Sequence, residues 1–258
     1  RSQLILLEEC NLGRVADPAG GAGVYEAMTE AMCEKAWALM QDVERAGGLA
    51  AALASGAFQA QVAAARAGRQ RSIATRRAPL TGVSEFADLA EAPVAVLAPL
   101  APASAGEGPF AAHRDAEDFE RLRDLADARA AGAGRPSVFL ANLGAHAAYA
   151  AREAFARNLF EAGGVRALTN DGFDDDAALA AAFQASGARL ACLCSSDAVY
   201  EERAAEVARS LVAAGARRVW LAGRGGATQA TLQQAGVSGF VFAGCDAIAV
   251  LEEALAHG

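Results

Sequence analysis

The residues able to do chemistry are few, and they gather just after short apolar runs. His146, one of three histidines, sits in the loop Leu143–Ala148 (LGAHAA). An imidazole in such a loop serves elsewhere as a metal ligand, a general base or a phosphate contact; a plain surface-loop histidine is the simpler reading. Ser195-Ser196-Asp197 follows another apolar run. Its side chains suit a polar ligand, and Ser196 or Asp197 equally suits the N-cap of the next helix. Gly223-Arg224-Gly225-Gly226-Ala227 is a glycine-rich loop whose backbone N–H groups could cradle a phosphate. It lacks both the dinucleotide-binding spacing and a neighbouring lysine. Asn170–Asp176 (NDGFDDD) concentrates carboxylates, for a divalent ion or, more simply, for helix capping and solvent.

These loops belong to an alternating pattern from Arg135 onward. Ser137–Asn142, Val165–Thr169, Arg189–Ser195, Arg217–Ala222 and Gly239–Ala243 read as strands. Helical stretches separate them at 150–162, 174–186 (with Asp174 as cap), 200–214 and 228–235, and the last runs over 246–256. Short apolar runs alternating with helices imply βαβ units and a parallel sheet covered on both faces. Five units fit the doubly wound order 2-1-3-4-5, flavodoxin-like, with any ligand beyond the carboxyl ends of strands 1 and 3. The loops holding His146, Ser195, Asp197 and Gly223 lie there.

The N-terminal part reads differently. Helical periodicity covers 26–46 and 58–77, with Gly47-Gly48 as a terminator and a short helix between. The chain opens on a helical pattern with no initiator Met and no cap, which reads as a fragment of a larger domain. Pro93, Pro99, Pro102 and Pro109 fall in an Ala/Gly/Ser-rich stretch that reads as a linker. His113–Ala130 carries both charge signs densely and reads as a solvated surface helix.

Composition narrows the function classes. The chain has 258 residues, 53% of them hydrophobic, and a net charge of −8, which argues against nucleic acid or an anionic membrane as partner. Lys35 is the sole lysine. Five cysteines, an odd number without a secretory segment, suit a reduced cytoplasmic setting. Cys192 and Cys194 lie in an apolar run and read as small buried hydrophobes; no Cys/His metal spacing and no catalytic triad can be placed.

Three stretches carry a resemblance. Ser2–Leu6, Arg14–Gly21 (RVADPAGG) and Glu34–Trp37 (EKAW) followed by Gly47-Gly48 resemble the end of the substrate barrel of methylmalonyl-CoA mutases. Gly82–Phe86 (GVSEF) resembles a segment of the smaller subunit of heterodimeric members, and 135–258 resembles the family's cobalamin-binding domain. The resemblance implies three regions: 1–86 as the C-terminal part of a TIM barrel, mostly helical; 87–134 as a linker with a surface helix; and 135–258 as a cobalamin-binding-like, flavodoxin-like α/β domain.

The family rearranges methylmalonyl-CoA to succinyl-CoA through a radical made from adenosylcobalamin. Its catalytic chains carry Asp-x-His-x-x-Gly in the first loop, where the His ligates cobalt and the Asp orients it. They also carry Ser-x-Leu after strand 3 and Gly-Gly after strand 4. Aligned without a gap, the Asp position here is His146, the His position is Ala148 and the Gly position is Ala151. Sliding by two puts His146 on the ligand position but leaves Gly144 for the Asp and Tyr149 for the Gly. Ser195 is kept while Asp197 replaces the Leu, and Ala222-Gly223 keeps one glycine.

The resemblance therefore implies a degenerate pocket at His146, Ala148, Ser195, Asp197 and Gly223. No catalytic residue, cofactor or metal is expected in this chain, and adenosylcobalamin belongs in a catalytic large-subunit partner. The alternatives are a catalytic mutase chain with an altered site, or a flavodoxin-like sensing or interaction module.

Overall fold

The structure, a computed structural model, describes residues 1–92, 97–98, 108, 110–132 and 134–258. The proposed linker prolines Pro93, Pro99, Pro102 and Pro109 lie outside the described residues. The chain divides into two compact units, 1–64 and 65–258.

In the first unit, helical turns over Ser2–Leu4 and Ile5–Glu9 precede α1 (Gly23–Arg45) and α2 (Leu49–Ala54). α3 (Ala57–Ala74) begins here, and its C-terminal part belongs to the second unit. Gly47 and Gly48, both at positive φ, end α1 as expected and accept the turn back to α2. Ala52 is the one buried residue of 1–64, whereas Met28, Met32, Trp37, Leu39 and Met40 stand exposed along α1. A 64-residue unit that buries so little cannot hold itself by a core of its own.

The second unit is the α/β domain. After α4 (Glu117–Ala130) come β1 (Ser137–Asn142), α5 (His146–Ala162), β2 (Arg166–Leu168), α6 (Asp176–Ser186) and β3 (Leu190–Cys194). A one-turn helix at Asp197–Val199 and a π-helical turn at Tyr200–Ala204 lead into α7 (Ala205–Ala213). β4 (Arg218–Ala222), α8 (Gln229–Gln234), β5 (Gly239–Val241) and α9 (Ala247–His257) follow. The five strands are all parallel in the order β2-β1-β3-β4-β5, the order read from the alternation. Val138 pairs with Leu190 and Asn142 with Cys194, so β1 and β3 end level.

The period of two sorts the strand residues onto two cores. Val138, Leu140, Leu190, Cys192, Cys194 and Trp220 face α4, α5 and α9; Phe139, Ala141, Leu193, Val219 and Leu221 face α6 and α7. The Phe160 and Trp220 rings meet at 5.3 Å on the first side. Cys192 and Cys194 are two apart, share that first face and are fully buried, so both thiols act as packing. Burial pushes the Cys194 thiol well above its ordinary range, which keeps it neutral.

One reading is corrected. The charge-dense α4 is not a solvated helix: Phe119, Leu122 and Ala126 have no exposed surface and belong to the first core. The density of charges over His113–Ala130 hid the 3-4 spacing of Phe119, Leu122 and Ala126. Arg123 on the same helix donates from Nε to the Ala162 carbonyl at 2.9 Å and reaches the Val83 carbonyl. The GVSEF turn is tied in as well: buried Ser84 accepts from the Leu80 N–H at 2.9 Å, and the Phe86 N–H donates to Asn158 Oδ1 at 2.7 Å. Among the described residues no helix is long and apolar enough to cross a membrane.

Burial of a whole phenyl ring sets the size of the effect expected from its removal. Phe119→Ala lowers unfolding free energy by about 3–5 kcal/mol, while Asp124→Ala on the wet face changes it by less than about 0.5 kcal/mol. Chemical denaturation of the two variants checks this; near-equal effects would mean that α4 merely lies on the surface.

Candidate functional site

The carboxyl ends of β1, β3 and β4 meet where the strand order reverses, and their loops are held by one another. The Leu143 N–H donates to the Cys194 carbonyl at 3.0 Å, and buried Ser195 Oγ donates to the Leu143 carbonyl at 2.8 Å. The crevice between β1 and β3 is thus laced at its floor. The Asn170–Asp176 loop folds onto the first loop: Phe173 N–H reaches the Asn142 carbonyl at 2.9 Å and Gly144 N–H reaches the Phe173 carbonyl at 3.1 Å. Gly172 is required there. Its φ is +90°, and a Cβ would stand 2.6 Å from Tyr149 Cε1 and 2.7 Å from the Gly144 carbonyl.

Tyr200 sits at the centre. The π-helical turn that it opens carries an extra residue per turn, and the ring is 7% exposed. Its hydroxyl accepts from the Ser195 N–H at 2.8 Å and lies 2.9 Å from the carbonyls of both Leu193 and Ala222. One phenol therefore joins the ends of β3 and β4. Burial, with the buried thiols Cys194 and Cys192 nearby, pushes its ionisation far above the ordinary phenol range.

Arg152, on the second turn of α5, covers Tyr200. Its guanidinium lies 4.9 Å from the ring centroid. Nη1 donates to the Ser195 carbonyl at 2.7 Å and Nη2 to Asp197 Oδ1 at 2.6 Å. Burial alone would lower the guanidinium's pKa, but the bonds to Asp197 and Tyr200 outweigh it and hold the charge firmly. Gly223 closes the far side, where a Cβ would come 3.2 Å from Arg152 Nη1.

Three of the expected site residues, Ser195, Asp197 and Gly223, therefore converge, and they converge on Arg152. His146 is exposed as the first residue of α5 and packs edge-on against Tyr149, with centroids 5.3 Å apart. Ala148 is half-buried on the first turn of the same helix. Ser196 caps the following turn, accepting from the Val199 N–H at 3.4 Å. In the carboxylate loop Asp175, not Asp174, caps α6, accepting from the Ala178 N–H at 2.8 Å, and Asp176 pairs with Arg203. No cluster of three or more metal-ligating side chains occurs among the described residues. Arg224 of the glycine-rich loop stacks on Phe242, 4.4 Å from its centroid. Arg152 and Tyr200 were missed from sequence, which carries no local signal for either.

Removing the Tyr200 hydroxyl leaves the buried Ser195 N–H without its acceptor. Tyr200→Phe costs about 1–3 kcal/mol at neutral pH, measured by urea denaturation. The unfolded phenol ionises near pH 10, and the folded one resists to much higher pH. Its contribution is complete below about pH 10 and is lost as pH rises beyond it, so the stability of Tyr200→Phe falls less steeply there than wild type. Parallel slopes for the two proteins would contradict this assignment.

This chain's sequence is similar to those of known proteins. A family model described as methylmalonyl-CoA mutase matches residues 1–156. The methylmalonyl-CoA mutase small subunit of Streptomyces virginiae is 48% identical over 252 residues, covering 97% of this chain and 39% of that protein. The small subunit of Propionibacterium freudenreichii subsp. shermanii is 38% identical over 221 residues, covering 85% of this chain and 34% of that protein. The large subunit from the same organism is 36% identical over 96 residues, covering 37% of this chain. The chain thus spans well under half the length of the relatives it matches. With the five-stranded parallel sheet and the match across 1–156, the chain belongs to the methylmalonyl-CoA mutase family.

Proposed function

We propose that this chain is a non-catalytic part of a methylmalonyl-CoA mutase small subunit, and that its task is to pair with and stabilise a catalytic large subunit. The observation that carries the reading is the content of the switch-point crevice. A cobalt ligand would have to come from the loop after β1, where the gapless alignment offers the methyl group of Ala148. The nearest imidazole, His146, is directed onto Tyr149 at the protein surface. The space over the strand ends holds the Tyr200 ring and the Arg152 guanidinium, and Asp197 brings a carboxylate to its rim. These residues do not fit a corrin: one would have to displace the Arg152–Asp197 pair and cover the part-buried guanidinium. Adenosylcobalamin belongs on this reading to the large subunit, and this chain binds none.

The wider organisation supports the same role. Residues 1–86 are read as the end of the acyl-CoA mutase barrel, 87–134 as a linker with its helix, and 135–258 as the cobalamin-binding-like domain. The open apolar side chains of α1, among them Met28, Met32 and Trp37, suit a helix that packs against the strands of a larger barrel. The net charge of −8 argues against nucleic acid or an anionic membrane as the main partner, and the five free cysteines suit the cytoplasm.

A titration with adenosylcobalamin, followed by absorbance, tests the reading. The expected outcome is no spectral change with this chain alone and a base-off spectrum only when a large subunit is added. Tight base-off binding by the isolated chain overturns the proposal.

A further inference from the structure

We propose that the switch-point crevice is an internal guanidinium-binding site whose ligand is Arg152, so that the chain carries its own replacement for a bound molecule. The site has four walls. The Ser195 carbonyl and the Asp197 carboxylate each take one Nη, at 2.7 and 2.6 Å, in the divergent fork that a guanidinium presents and an ammonium does not. The Tyr200 face lies beneath at 4.9 Å and supplies the cation–π contact. Gly223 closes the fourth side with backbone alone; a Cβ there would stand 3.2 to 3.3 Å from the guanidinium.

This accounts for residues that otherwise have no purpose. Asp197 is a largely exposed carboxylate at the rim of the crevice, and Arg152 is its counter-charge. Gly223, at φ +147°, is needed for space next to a cation rather than for a phosphate. Tyr200, locked by three polar contacts from below, presents a fixed face to the cation above. Arg152 reaches from α5 to the β3 loop, so the pair clasps the two sides of the crevice across 45 residues of chain. The geometry stands without any view of the assembly; its meaning as a substitute for a ligand rests on the proposed function.

The test is a rescue with the full chain. Arg152→Ala should lower Tm by about 2–4 °C, the shift expected of roughly 1 kcal/mol in a chain of this size. Millimolar methylguanidinium should then raise the Tm of Arg152→Ala in a saturable way. It should leave wild type and Arg152→Ala/Asp197→Ala unimproved, and methylammonium should fail on all three. Equal responses of the three proteins to methylguanidinium, or equal rescue by methylammonium, overturn the proposal. Should Arg152→Ala not fold, side-chain NMR of the wild-type chain decides. Resolved, slowly exchanging Arg152 Nη protons that collapse in Asp197→Ala support the site; averaged resonances in wild type overturn it. None of these readouts involves cobalamin, so failure here leaves the non-catalytic reading standing, whereas cobalamin binding by the chain would sink that reading and with it the role of Arg152 as a substitute for a ligand, leaving the guanidinium contacts to the rescue experiment.

Discussion

A single phenol oxygen does most to set the state of the strand ends. Tyr200 takes the Ser195 N–H and faces two carbonyls from adjacent strands, all in a place that water does not reach. Parallel sheets end in backbone groups that have lost their next ladder partner, and buried groups of that kind must be satisfied. In open α/β proteins the ends of the strands are where ligands enter. Here a side chain satisfies those groups permanently. Everything above it follows: the ring gives the guanidinium a floor, and the guanidinium gives Asp197 a partner.

The same constraint explains which parts of the molecule were legible in advance. The sheet was, because each strand is a run of apolar residues bounded by glycine or a polar turn, and each run must be buried on two faces. Strand order followed from the number of units. Individual caps were less legible: Asp174 and Asp175 are chemically equivalent, and the choice of Asp175 depends on where the loop is pinned by Asn170, Gly172 and Phe173. The start of α5 was set four residues late, since Ala147, Ala148 and His146 carry no periodic signal while the backbone is already helical.

The site was legible by location and not by content. The loops after β1, β3 and β4 could be named from the fold, and Ser195, Asp197 and Gly223 do come together. What gathers them is Arg152, a residue in a helix among other arginines with nothing in its own neighbourhood to mark it. Its role depends on a contact across 45 residues, which neither periodicity nor local motif encodes. Tyr200 was hidden for a related reason: the π-helical turn rotates it inward, whereas ordinary helical spacing gives no cause to single it out.

Helix α4 has a consequence for where such a domain can be cut. Phe119, Leu122 and Ala126 form one wall of the chamber that houses Phe160 and Trp220, and Arg123 buckles that wall to the end of α5. The alternating strands and helices are therefore not a transferable module by themselves. A chain cut just ahead of β1 would leave the sheet with that flank stripped to solvent.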